Sequence, residues 1–173
     1  METIQYTRMQ LFSLVCLRML VGWHFLYEVL VKLLNPGWSA QGYLIASQGP
    51  FSKFFVALGN QSGLMVFVDI FNMGGLALIG LALILGCAVR WAAVFGMMLL
   101  SLYYLAYPPF GNLLGVPVEG SYLIVNKTLI EIGALWVLKE FCTSKSLGLD
   151  GLFASMKSKK KKDAAMLGGH SYE

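Results

Sequence analysis

The chain has 173 residues, 57% of them hydrophobic, with a mean hydropathy of +0.67 and a formal net charge of +4. That length fits one domain, and that composition is too apolar for a water-soluble fold, so most of the chain has a lipid bilayer as its solvent. Its three cysteines contain no C-x-x-C pair, so neither dithiol chemistry nor structural disulfides are suggested.

The first apolar stretch, Met9–Leu34, is long enough to cross ~30 Å of hydrocarbon as a helix. It is expected to stay in the mature protein, because Arg18, Glu28 and Lys32 interrupt what would be the apolar region of a signal peptide. Helical residues advance by about 100° each, so His24, Glu28 and Lys32 form one i, i+4, i+8 stripe, with Arg18 on the same side. A long outer loop follows, NPGWSAQGYLIASQGPFSKFFVALGN. In it Phe51, Phe54, Phe55 and Leu58 recur at i, i+3, i+4 and i+7. That spacing predicts a short interfacial helix, either covering polar groups below it or resting on lipid.

The second stretch, Gly63–Leu85, carries Asp69 and Asn72 two to three turns in. Its stripe of Gly75, Ala82 and Gly86 suits close helix packing in lipid. The third, Trp91–Tyr107, is the shortest and ends in Tyr103, Tyr104 and Tyr107, which serve as an interfacial belt or as part of a site. The loop PPFGNLLGVPVEGS has turn chemistry, and the fourth stretch, Tyr122–Leu138, then brings Asn126, Lys127 and Glu131. Residues 141–173 read as a basic, disordered tail whose lysines can meet anionic headgroups. Without aromatic interleaving, nothing in it points to nucleic acid.

The predicted fold is therefore all-α: a four-transmembrane-helix bundle over residues 1–140 with an interfacial helix in the first outer loop. Arg8, Arg90, Lys139, Lys145, Lys157 and Lys159–Lys162 flank the ends sharing one side, whereas the opposite loops contain only Lys53. The positive-inside rule then puts both termini in the cytoplasm. In that orientation every helix contributes polar groups to the outer half, and the inner halves are almost purely apolar.

Ionisable groups in hydrocarbon cost several kcal/mol, so each is a functional candidate by default. Arg18, Lys32 and Lys127 balance Glu28, Asp69 and Glu131, with His24 beside them. The set either meets in one site or pairs along individual helices and merely holds the bundle together. Paired charges stabilise poorly once desolvation is counted, which favours a site. His24 is the single histidine within a span, so this chain alone is not expected to hold a bis-histidine haem. Neither a Glu-x-x-His pair for di-iron nor a glycine-rich nucleotide loop is present, and no specific metal set stands out.

The segments RMLVGWHFLYEVLVKLLNPGWSAQGYL and GGLALIGLALILGCAVRWAA resemble the DoxX/DoxD family of four-helix membrane proteins. The resemblance covers roughly residues 14–140 and rests on Arg18, Gly22, Lys32, Gly74, Gly75, Gly80 and Arg90, while Glu28 departs from the small residue usual at its position. DoxD-like members are associated with thiosulfate:quinone oxidoreductase, and other relatives with membrane redox complexes that include soluble oxidoreductases. The resemblance thus implies quinone-linked electron transfer in a bacterial inner membrane, with a soluble redox protein or other subunits as partners, and it is compatible with a homo-oligomer.

Joined to the residue pattern, it gives an outer-half cavity that binds a quinone headgroup and handles its protons. His24, Lys32, Lys127 or a tyrosine would donate, Glu28 and Glu131 would relay protons, and Arg18 and Asp69 complete the charged set. Trp38, Asn72, Tyr103, Tyr107 and Asn126 are the residues expected to contact the quinone. Two rivals stand beside this reading: a non-catalytic anchor that docks a soluble oxidoreductase through the outer loops, and a small-solute or proton carrier.

Overall fold

In the computed structural model, the described residues are 6–109, 121–122, 124–141, 143–144, 147–152 and 155–156. Helix α1 spans Arg8–Leu33, α2 Gln41–Ile45, α3 Ser52–Gly59, α4 Ser62–Leu85, α5 Val89–Ala106 and α6 Lys127–Glu140. Three of these, α1, α4 and α5, are long and apolar enough to cross a membrane. Their outward surfaces suit lipid rather than water: Phe71 is 82% exposed and Leu78 70%.

Local chemistry sets the ends. Thr7 caps α1 by accepting from the Gln10 N–H at 3.2 Å, and the Gln10 side chain accepts the Thr7 N–H at 2.9 Å, a reciprocal capping box. At the end of α4, Gly86 turns left-handed at φ +67, and the Cys87 N–H donates back to the Ala82 carbonyl at 3.0 Å. Helix α6 begins later than its apolar pattern predicts. Residues 121–122 pair antiparallel with residues 125–126, Ser121 opposite Asn126 and Tyr122 opposite Val125, and the Asn126 side chain then caps α6 by accepting the Leu129 N–H at 2.9 Å. The 14 residues left to α6 give it about 21 Å, less than the ~30 Å of a bilayer core.

The helices α1, α4, α5 and α6 close into a ring in that order, and the α1–α6 seam is the most lightly packed. Val21, Phe25 and Val29 meet Leu76, Ile79 and Leu83 on one side, while Ala93, Leu100, Leu135 and Leu138 fill the other. Close approach of α1 and α4 depends on Gly22 and Gly80: a Cβ on Gly80 would stand 2.9 Å from the Gly22 carbonyl oxygen and 2.8 Å from Leu26.

One end of the ring is covered by α2 and α3, whose Leu44 and Phe55 join Ala40, Met65 and Ala106 in a second apolar cluster. The Ala106 carbonyl accepts from the Ser47 hydroxyl and from the Gln48 and Gly49 N–H groups, at 2.9, 3.1 and 3.0 Å. Gly49 lies so close to the Leu105 carbonyl that no side chain fits there. The predicted interfacial segment is thus two helices. Its expected face is divided, with Phe55 and Leu58 against the bundle and Phe51 and Phe54 turned outward.

The opposite end holds a further difference from the sequence reading. Residues expected to be solvated from 141 onward begin instead as a clasp. Thr143 and Ser144 are buried, the Arg18 guanidinium donates to the Thr143 hydroxyl at 3.1 Å, and the Asp150 carboxylate accepts the Ala88 N–H at 2.9 Å. Gly148 rests on Gly86, whose added Cβ would stand 2.7 Å from the Gly148 Cα. The Lys159–Lys162 run and the loop bearing Glu119 lie outside the described residues.

Gly80→Val should therefore destabilise the bundle by about 1–3 kcal/mol through overpacking. By contrast, Gly133→Ala, where a Cβ meets nothing within 4 Å, should be neutral or slightly stabilising in the α6 helix. Thermal unfolding of the two variants in detergent provides the comparison.

Candidate functional site

The polar stripe of α1 faces a cavity of about 330 Å³ at the end covered by α2 and α3. Each surrounding element adds to its wall: His24, Glu28 and Lys32 from α1, Asn72 and Leu76 from α4, Leu100 and Tyr103 from α5, and Lys127, Thr128 and Glu131 from α6. Phe25 closes the floor, and Trp38, Ala40 and Tyr43 of the loop segment lie over the top.

Charges from different helices meet here. The Glu131 carboxylate, buried on α6, lies 2.8 Å from Nδ1 of His24 on α1. The other ring nitrogen, Nε2, stands 3.7 Å from Glu28. Glu28 in turn is 3.9 Å from the Lys32 ammonium on its own helix and 4.0 Å from that of Lys127 across the α1–α6 seam. The i, i+4 spacing of Lys127 and Glu131 is therefore used for two cross-helix contacts, with Glu131 turned to His24 and Lys127 to Glu28. An imidazole between two carboxylates can hold a proton on either nitrogen.

The far wall is organised by Asn72. Its side-chain oxygen accepts from the Lys32 ammonium at 3.2 Å and from the Tyr103 hydroxyl at 3.0 Å. Lysine can only donate, so the amide oxygen must face these two groups and the amide nitrogen points away from them as a donor. The Lys32 ammonium also sits 4.9 Å from the centre of the Trp38 ring and 5.8 Å from that of Tyr103, so aromatic faces replace part of its lost water. Tyr43 donates its hydroxyl to the Tyr103 carbonyl at 3.1 Å. Partial burial, reinforced by the neighbouring phenols of Tyr103 and Tyr107, pushes the Tyr43 pKa above the ordinary tyrosine range.

Not all of the residues singled out from sequence come together. Arg18 belongs to the opposite end, held by Thr143, because its rotation about α1 is shared with the stripe but its depth is not. Asp69 anchors the covering segment by accepting the Ala40 N–H at 2.8 Å. Tyr107 packs against Tyr43 with ring centres 4.7 Å apart and the planes tilted by 42°, behind the cavity wall, and Asn126 is occupied as the α6 cap. Conversely, Tyr43 and Thr128 line the cavity without having been anticipated. Thr128 lies three residues before Glu131 and so shares its face, a signal available in the sequence. Tyr43 reaches the site only because the loop folds back, and periodicity carries no trace of that.

Comparison of the chain with protein-family models, with curated proteins and with solved structures gives no match. What the fold and site define is a membrane-spanning helical protein with a charged, aromatic-walled cavity between its helices.

His24→Ala should leave the Glu131 carboxylate without its 2.8 Å partner. A cost of about 1–3 kcal/mol is expected, moderated by the partial exposure of His24. A double-mutant cycle with Glu131→Ala should give a coupling of at least about 0.5 kcal/mol, whereas strict additivity would show that the contact is energetically empty.

Proposed function

We propose that this chain is a four-span, DoxX/DoxD-like subunit of a quinone-linked oxidoreductase complex in a bacterial inner membrane, with its cavity receiving the quinone headgroup. The observation that carries this reading is the convergence of donors from two helices on one cavity that also has apolar walls: Lys32 and His24 of α1 and Asn72 of α4 beside Phe25, Leu76 and Leu100. At about 330 Å³ its volume lies within the range of small-ligand sites. Helix α6 serves as the fourth span, completed across the bilayer by the strand pair before it and the clasp after it. Both termini are cytoplasmic, since Arg8, Arg90 and Lys139 lie at the clasp end while the covering loop has only Lys53.

A ring with two carbonyl oxygens fits the donor set. The Lys32 ammonium, bonded to Asn72, and the His24 imidazole stand at the two ends of the α1 stripe, eight residues apart. A quinone, when bound, supplies a two-electron, two-proton acceptor. The chain's own part is to orient the headgroup and move protons. His24 passes a proton between Glu131 and Glu28, and Glu28 leads to the exposed Lys127 at the rim through contacts of 2.8, 3.7 and 4.0 Å. The longer two require a small side-chain movement or a bridging water. No carrier motif for electrons stands in the sequence, so a partner protein delivers them.

The anchor reading draws on a different feature, the outward Phe51 and Phe54 of the covering segment, 55% and 63% exposed, which would suit a docking surface for a soluble enzyme. Two substitutions separate the readings. Glu28→Gln and Lys32→Met should preserve folding and partner association yet lower quinone-dependent turnover by roughly 10²–10⁴, and quinone in organic extracts of the purified protein should fall with it. Full turnover in both variants, with no extractable quinone, would favour the anchor; its activity would depend instead on Phe54→Ala.

Orientation has its own check. A cysteine introduced at Ser39 should react with a membrane-impermeant maleimide from outside, and one introduced at Ser158 should not. Reversed labelling would put the cavity in the cytoplasmic half of the bilayer.

A further inference from the structure

We infer that the cavity opens sideways between α1 and α6, and that its ligand is a membrane-dissolved molecule whose apolar tail leaves through this mouth into the bilayer. The inference rests on the proposed headgroup site and specifies how it is reached and what class of molecule it takes.

Three boundaries of the cavity are closed. Over the top, Asp69 holds Ala40, Lys32 sits against Trp38, and the Ala106 carbonyl gathers three donors from residues 47–49. Beneath lie Phe25 and Leu76, each 2% exposed. Toward α4 and α5 the helices pack with Leu100 buried and Asn72 bonded to Tyr103. Apart from Tyr43 of the covering segment, 41% exposed with its hydroxyl bonded to the Tyr103 carbonyl, the exposed polar side chains of the lining belong to the remaining seam. Glu28 is 41% exposed, His24 39% and Lys127 75%, whereas Lys32 and Glu131 are at 11% and 9%.

Helical geometry places the mouth on the flank of the bundle. On α1, Phe25 and Val29 point to the core and Tyr27 and Val31 point outward. His24 and Glu28 fall between these two directions on the side facing α6. On α6, Glu131 points inward and Ile130 outward, with Lys127 between. The mouth is therefore framed by apolar side chains, Tyr27, Val31 and Ile130, that face hydrocarbon when the bundle is in a membrane. Among the described residues two polar contacts cross this seam, Lys127–Glu28 at 4.0 Å toward the top and His24–Glu131 at 2.8 Å toward the floor, and it is the most lightly packed of the four seams. A water-soluble ligand would have to cross lipid to enter here. A molecule with a polar head and a long isoprenoid tail would not, because its tail can stay in hydrocarbon while the head takes the cavity's donors.

The test uses full-length protein in lipid nanodiscs and a long-chain benzoquinone bearing a diazirine on its isoprenoid tail. After irradiation, adducts are mapped by peptide mass spectrometry, with and without excess tailless benzoquinone as competitor for the headgroup site. Competable adducts concentrated on Tyr27, Val31 and Ile130 are expected. Competable adducts on Phe51 or Phe54 of the covering segment, or on Phe67 and Phe71 of α4, would overturn the lateral mouth while leaving the headgroup site in place. Complete absence of competable adducts would overturn the headgroup site, and the mouth with it.

Discussion

The contact on which the site depends is the 2.8 Å bond between His24 and Glu131, which joins the first long helix to the helix after residue 126. Glu131 is buried, and a carboxylate in that position without a partner would cost more than any nearby packing returns. With His24 in place, the remaining charges arrange themselves around it: Glu28 takes the second ring nitrogen, and Lys32 and Lys127 balance Glu28 from two directions. Desolvation makes each of these groups expensive alone and tolerable together. This explains why they occupy one cavity instead of being spread over separate helix pairs.

The two ends of the bundle solve different problems. At the loop end a polar interior is kept open and roofed, with Asp69 and the Ala106 carbonyl fixing the roof by hydrogen bonds to its backbone and to Ser47. At the other end the interior is sealed. Leu83 and Leu138 are fully buried, Gly86 and Gly148 touch, and the buried Arg18 is spent on Thr143. A ligand entering the cavity therefore meets a floor of Phe25 and Leu76, with the sealed end beyond it.

Much of this was legible in the sequence. Apolar length gave the three long helices to within two residues at each end, because hydrophobic runs bounded by glycine or polar residues leave little choice in a bilayer. The i, i+4 spacings of His24, Glu28 and Lys32 and of Lys127 and Glu131 were enough to put them on common faces. Two things were not legible. Arg18 lies deeper along α1 than the stripe, but only a partner 125 residues away decides which end claims it. The start of α6 is not marked by hydropathy, because Tyr122–Asn126 is as apolar as a helix; the strand pairing of residues 121–122 with 125–126 and the Asn126 cap outweigh it. Tyr43 illustrates the general difficulty, since a loop residue enters a site through tertiary folding that no periodicity encodes.

The long sequence separations within the cavity also set an order of assembly during synthesis. Lys32 and Asn72 are 40 residues apart, so the wall between α1 and α4 can form early, while later segments are still being made. His24 must wait for another 107 residues before Glu131 exists. At typical translation rates that interval is on the order of 10 s. Throughout it, the half-built pocket presents His24 and Glu28 to the insertion machinery or to lipid. Until Glu131 is made, His24 lacks the carboxylate that it meets at 2.8 Å in the finished fold.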